Sequence, residues 1–242
     1  MELEPELTVP ITQPLTVAVL GGGTMATAVA TLVARGGGRV RVWARNPTQA
    51  GWVVEDVVDG APQSVGQVTA AASLREAVKA AQVVVPAVPW GPALAQVVNP
   101  VLDLLDGKVV VDVGNPYEMT ALGPKLAMVV PGGSAAALLA EALPAGAAQL
   151  HCFTQVRADK LNRPVPGDEI VLPYVIDGED AAPKVLKPFL DLVEATGWLP
   201  TRIGGLDQSA LIEEGGPWAA ARGEAGQGLL TRPEAMERGL LS

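Results

Sequence analysis

The chain reads as an α/β protein, a doubly wound parallel sheet followed by a small, mainly helical C-terminal part. Three observations predict this. Short β-branched runs alternate with stretches of helix formers from residue 15 to about residue 153. Apolar residues make up 49% of the chain but aromatics only 4%, so the core must be built from Ala, Val and Leu, which let helices pack closely on a sheet. The strand-like runs are continuously apolar, as expected where helices cover both faces.

Taken in order, "LTVAVL" (15–20) is a buried strand ending at glycine, and "TMATAVATLVAR" (24–35) a helix stopped by "GGG" (36–38). "RVRVW" (39–43) alternates as a second strand. "SLREAVKAA" (73–81) opens with Ser73 and Glu76 at capping-box spacing, and "QVVVPAV" (82–88) follows as a strand. A helix with a proline-rich start runs from Pro89 to about Leu105, and "GKVVVDVGNP" (107–116) is a strand and turn. "GSAAALLAEAL" (133–143) is a helix and "AAQLHCF" (147–153) a further strand.

Past Thr154 the texture changes. Residues 157–173 read as a loop and "YVIDG" (174–178) as a strand. Residues 180–197 form an amphipathic helix, and 206–230 a glycine-broken helical stretch. The expected organisation is a flexible extension over 1–14, a nucleotide domain over 15–155 and a small C-terminal domain over 156–242.

Composition narrows the function classes. With 17 basic against 26 acidic residues and a net charge of -9, the chain has no nucleic-acid footprint and no complement to an anionic membrane. No run reaches the roughly 18 apolar residues of a membrane span. One cysteine and one histidine leave neither a disulfide framework nor a Cys/His zinc site, so no metal is expected and the compartment reads as cytoplasmic.

The three glycines after the first strand carry the chemistry. Gly21-x-Gly23-x-x-Ala26 follows a strand and opens a helix, the context a dinucleotide fingerprint requires in a Rossmann domain. Gly21 permits the tight turn, and Gly23 lets a pyrophosphate meet backbone N–H groups at a positive helix terminus. The end of the second strand supplies Ala44, Arg45 and Asn46 where an NAD site carries Asp or Glu. Arg45 can stack on adenine and pair with a 2′-phosphate, which points to NADP; as a bland alternative it is a solvated surface arginine.

"AVPW" (87–90) and "VGNP" (113–116) end the next strands at the ligand crevice of such a sheet. Pro89 and Pro116 would stiffen those turns, Asn115 offers a donor and an acceptor to a carboxamide, and Trp90 either walls the nicotinamide ribose or simply packs. Ser134 binds a phosphate or merely caps its helix. His151 and Cys152 lie in an apolar run, where the core reading stands against a catalytic one. Asp112 is a cleft residue or a turn cap, and Lys125 and Lys160 are surface lysines or contacts for an acidic tail.

These residues together resemble a family. "VAVLGGGTMATAVATLVARGG", "VRVWARNP", "AVPW" and "VVVDVGNP", with "GGSAAALLAEALPAGAAQLHCF" and "VIDGEDAAPKVLKPFLDLVEATGWLPTRIGGLDQSALIEE", resemble the NADPH-dependent coenzyme F420 reductases over about residues 15–230. The nucleotide half is also similar to pyrroline-5-carboxylate reductase and glycerol-3-phosphate dehydrogenase. The resemblance implies hydride transfer between NADP(H) and the deazaflavin coenzyme F420 in a cytoplasmic homodimer. It implies that Gly22, Gly23, Thr24, Met25 and Arg45 hold NADP phosphates. Val88, Pro89 and Asn115 would border the nicotinamide, and Phe153 and Thr154 the deazaflavin. Hydride transfer between two bound rings needs alignment and exclusion of water, so no catalytic side chain is assigned. Gln49 stands where a lysine can add a 2′-phosphate contact, "CFT" changes the polar groups near the second ring, and "EEGGPW" breaks a helix beside it. Two alternatives remain: an NADPH-dependent reductase of a small imine, ketone or flavin, and a non-catalytic NADP-binding redox sensor or scaffold.

Overall fold

The computed structural model describes residues 14–60, 68–121, 123–126 and 133–241. The expected N-terminal extension lies outside them except for Pro14. Five parallel pairings build the central sheet. β1 (Thr16–Leu20) pairs with β2 (Arg39–Trp43) and β4 (Val83–Pro86), β2 with β3 (Val68–Ala70), β4 with β5 (Val109–Asp112), and β5 with β8 (Ala148–His151). β9 (Ile170–Asp177) then runs antiparallel to β8, and β10 (Trp198–Gly204) parallel to β9. The order β10-β9-β8-β5-β4-β1-β2-β3 reverses direction between β1 and β4, the switch point of a Rossmann sheet, so the expected fold class is borne out.

Alternation along each strand feeds two cores. Val17, Val19, Val83, Val85, Val109 and Val111 pack with α1 (Thr24–Arg35), α2 (Pro47–Gly60) and α6 (Pro183–Glu194). Ala18, Leu20, Val84 and Val110 face α3 (Leu74–Ala80), α4 (Pro92–Val98) and α5 (Ala135–Ala140) on the other side. The Ser73 hydroxyl accepts the Glu76 N–H at 3.1 Å, as its spacing predicts. α2 and β3 add to the expected elements; α2 is recognisable from its buried Ala50, Val53 and Val57, although it also carries glycine and β-branched residues that favour other conformations. Among the described residues no helix is long and apolar enough to cross a membrane.

Three expectations are corrected. The helix expected over 89–105 is α only through α4, then continues as a 3-10 turn over Asn99–Leu104, where Pro100 has no N–H to give the α ladder. The loop expected up to residue 173 ends at Ile170, because β9 starts there. The glycine-broken helix expected over 206–230 is a 3-10 turn (Leu206–Leu211), α7 (Pro217–Ala220) and a tight hairpin of β11 (Arg222–Gly223) and β12 (Gly226–Gln227). Gly226 and Gly228 take φ of +132° and +71°, which a helix cannot use.

The sheet also crosses the expected boundary at residue 155. β9 and β10 belong to it, and Leu161, Ile170 and Phe189 share one core with Val17 and Val85. A separate small core joins Val171 and Val175 of β9 to Ile212, Trp218, Leu230 and Ala235, the last on α8 (Arg232–Glu237). A hairpin of β6 (Tyr117–Thr120) and β7 (Gly123–Leu126) follows β5.

Candidate cofactor cleft

The β1–α1 turn is built around its glycines. The Gly21 N–H donates to the Trp43 carbonyl at 2.7 Å, and a Cβ on Gly21 would stand 2.2 Å from the Ala87 carbonyl oxygen. Its φ of +153° adds to that demand for glycine. Gly22 lies under α2, where an added Cβ would be 2.6 Å from the Gln49 Cβ and 3.2 Å from Ala44. Gly23 differs from both: a Cβ there would meet nothing within 4 Å. It is the N-cap of the twelve-residue α1, extended at φ −100°, and no side chain caps the helix. The first-turn N–H groups, with the positive end of the helix dipole, therefore face open space. Ala26, the third motif position, is buried where α1 meets the sheet.

The other strand ends converge here. Ala44 is buried against Gly22, while Arg45 stands exposed with Nη1 3.5 Å from Gln96 Oε1 on α4. Asn46 accepts the Thr48 N–H at 3.0 Å and so starts α2. Val88 and Trp90 are half-buried and Pro89 exposed; the Trp90 indole N–H is buried without a partner among the described residues. Asn115 ties three segments together. Its Nδ2 donates to the Thr154 carbonyl at 2.9 Å and its Oδ1 accepts the Glu214 N–H at 2.7 Å.

Beside the turn lies a cleft of about 670 Å³ lined by Thr24, Met25, Asn115, Thr154, Gln155 and Glu214, with Arg157 and Lys160 also on its wall. Four expected site residues, Thr24, Met25, Asn115 and Thr154, thus share one cavity. Lys160 lines it too, whereas Lys125 lies exposed on β7.

Of the other expected site residues, 21–23, 44–46 and 88–90 lie at the neighbouring strand ends without lining this cavity, and three more are engaged elsewhere. Phe153 is wholly buried in the main core at φ +65°, so its ring faces no ligand. The Ser134 hydroxyl is used by the Ala137 N–H at 3.2 Å, which makes Ser134 the cap of α5. Pro116 is buried and stiffens the turn without lining the cleft.

Sequence reasoning missed the cleft's far wall. Gln155 is 3% exposed, and among the described residues neither Oε1 nor Nε2 has a partner, an expensive state for a carboxamide. Tyr117 hydrogen-bonds to Glu214; burial first, then that charge and hydrogen bond, raise its phenol above the ordinary value. Beneath the cleft, His151 Nδ1 is 3.0 Å from Asp112 Oδ2 and Nε2 is 3.4 Å from Glu213 Oε1, all three residues buried. Burial alone would lower the imidazole pKa, but the Asp112 and Glu213 carboxylates more than offset it and raise it to about 9. Asp112 and Glu213 thus favour the protonated form of His151, with the closer contact on the Asp112 side. Asp112 Oδ1 meanwhile accepts the Gly114 N–H at 2.9 Å, and Glu213 Oε1 the Ala135 N–H at 2.8 Å. The only visible signal for Glu213 and Glu214 was the "EEGGPW" break itself.

Residues 16–116 match the family model described as NADP oxidoreductase coenzyme F420-dependent. That stretch is less than half of the chain, and over it the chain is similar to this family. The match takes in the glycine turn, Arg45 and Asn115, and stops before Thr154 and Gln155. A glycerol-3-phosphate dehydrogenase [NAD(P)+] from Pseudomonas fluorescens is 58% identical over 40 residues, which are 16% of this chain and only 12% of that protein. Among solved structures, a hypothetical protein from Sinorhizobium meliloti is similar at TM-score 0.60 and 20% identity, covering 85% of this chain and 92% of its own. A putative F420-dependent NADP-reductase from an Arthrobacter species gives TM-score 0.60 and 20% identity over 81% and 87%. A reductive aminase from Aspergillus terreus, in complex with NADPH and ethyl levulinate, gives TM-score 0.55 and 21% identity over 82% of this chain and 57% of its own.

Proposed function

We propose that this chain is an NADP-dependent oxidoreductase that passes hydride between NADP(H) and coenzyme F420. The observation that carries the reading is the uncapped first turn of α1 opening beside a cleft that holds Asn115, Thr154 and Gln155. The residues fit NADP: Gly23 leaves room for a pyrophosphate, and Arg45 is exposed at the end of β2, with Ala44 and Asn46 beside it rather than an acid. Bound NADPH supplies the hydride. The chain orients the nicotinamide at the ends of β4 and β5, with Val88 and Asn115 on its border, and keeps water from the space between the two rings. A putative F420-dependent NADP-reductase of similar fold supports the second substrate, and Lys160 on the cleft wall suits an acidic tail, Arg157 beside it being paired with Asp159. A homodimer is part of the same proposal.

Calorimetric titration tests it. Wild type should bind NADPH at least ten-fold more tightly than NADH, and Arg45→Gln should erase that preference, weakening NADPH far more than NADH. Oxidised F420 should then bind the NADP⁺ complex; if it does not, the nucleotide reading stands and the second substrate is wrong.

One observation favours reduction of a small imine or ketone. Such a reaction needs a proton as well as a hydride, and the Tyr117–Glu214 pair stands in the cleft wall as a donor. Under that reading Tyr117→Phe abolishes turnover of the imine or ketone without changing NADPH affinity.

A further inference from the structure

At the opposite end of the sheet, where the parallel strands begin, lies a cavity of about 320 Å³. Thr16, Arg39, Arg41, Thr69, Gln82 and Lys184 supply its polar lining, with no Asp or Glu among its lining residues. Two of the cations stand on one strand: Arg39 and Arg41 are both on β2, paired with Thr16 and Ala18 of β1. Lys184 comes from the first turn of α6, a twelve-residue helix that no side chain caps. That helix follows β9, whose reversed direction brings its C-terminal end to the starting end of the other strands.

Charge makes this cavity unusual in a chain of net charge -9. Four exposed cations elsewhere pair with acids, Arg75 with Asp103, Arg157 with Asp159, Lys187 with Asp191 and Arg202 with Glu179, while others such as Arg45 stand singly rather than clustered around a cavity. Among the described residues, Arg39, Arg41 and Lys184 have no carboxylate partner. Arg41 donates only to the Thr69 hydroxyl, at 2.8 Å. Three like charges around one cavity repel each other, and a multiply charged anion relieves that repulsion. The paired N–H groups of an arginine match phosphate or carboxylate oxygens in a fork.

We propose that this cavity is a second anion site, for a multiply charged ligand bearing phosphate or carboxylate groups, separate from the cofactor cleft. Two sources supply that chemistry: a free small polyanion, or the chain's own Glu2, Glu4 and Glu6, which precede the cavity-lining Pro14 in the sequence.

The test is calorimetric titration of the full chain with inorganic pyrophosphate at fixed ionic strength. Wild type is compared with Arg39→Gln/Lys184→Gln, whose side chains are exposed, and thermal midpoints check that each variant folds. Gly23→Ala puts a methyl into the open space at the α1 turn and should weaken pyrophosphate binding there. A free anion is the ligand if Gly23→Ala retains a binding event that the double variant weakens at least ten-fold. The chain's own carboxylates are the ligand if that event appears only after Glu2→Gln, Glu4→Gln and Glu6→Gln, and is lost again when the Arg39 and Lys184 changes are added. The proposal is overturned if the Arg39 and Lys184 changes leave pyrophosphate binding unaltered in both backgrounds, or if neither background binds it.

Discussion

The His151 imidazolium makes protein stability depend on pH in a window where few other groups titrate. Its pKa is 6.5 in an unfolded chain and about 9 in the folded protein. A raised folded pKa stabilises fully below pH 6.5, and that stabilisation is lost as pH rises through 9. The gap between the two values corresponds to roughly 3 kcal/mol. From pH 6 to pH 8.5 the protein should therefore lose roughly 2 to 3 kcal/mol of unfolding free energy, read from urea midpoints at constant m-value. The Cys152 thiol, pushed well up by burial and then by the Asp112 charge, adds a loss of the same sign only as pH reaches the ordinary thiol value of 9.0, so the window closes below it. Because the chain has one histidine, a single imidazole resonance in a proton NMR titration reports the pKa directly. A midpoint near 6.5 or below, or a stability flat from pH 6 to 8.5, would refute the buried ion cluster. Asp112→Asn should bring the midpoint down, since that carboxylate is the main cause that raises it.

Gly21→Ala and Gly23→Ala should separate fold from binding. The first drives a methyl to 2.2 Å from the Ala87 oxygen and should destabilise the chain by several kcal/mol, whereas the second meets no protein atom and should leave the thermal midpoint within a degree or two while NADPH affinity collapses. Asn115→Ala strands the buried Thr154 carbonyl and should cost about 1–3 kcal/mol in urea unfolding. Gln155→Met replaces an unpaired buried carboxamide with an apolar chain of similar size; stability should hold or rise by about 1 kcal/mol while second-substrate binding weakens, and a marked loss of stability would mean the carboxamide is satisfied in the folded protein.

The parts of the site that were legible in the sequence are those whose requirements are local. A tight turn, a close approach to Ala87 and an open helix start each demand glycine within three consecutive residues, so the fingerprint was readable, as were α1 and β2 to the residue. The missing acid after β2 was equally local. Phe153 misled because its position after β8 suggests a cleft, while its φ of +65° and complete burial turn the ring into the core. Ser134 satisfied two readings that sequence cannot separate, and capping was the one used. Glu213 and Gln155 were illegible because their significance is set by partners far along the chain, or by the lack of them: Glu213 meets His151 and Ala135 across 62 and 78 positions.

The reversal of β9 explains why so much of the cleft lies beyond the matched family segment. β8 pairs with β9 only from Gln149 to His151, against Asp177 to Val175, so the first five residues of β9 overhang the end of β8. That overhang carries the small core of Val171, Ile212, Trp218 and Leu230, which anchors residues 206–230 beside the strand ends. Anchored there, Glu213 reaches down to His151 and the Glu214 N–H reaches Asn115. The turn that would grip a dinucleotide is thus specified by the first half of the chain, and the wall that would choose its redox partner by the second. Substitutions in 206–230 should accordingly change which second molecule is accepted while leaving nucleotide affinity intact, whereas the Gly21–Gly23 turn should do the reverse.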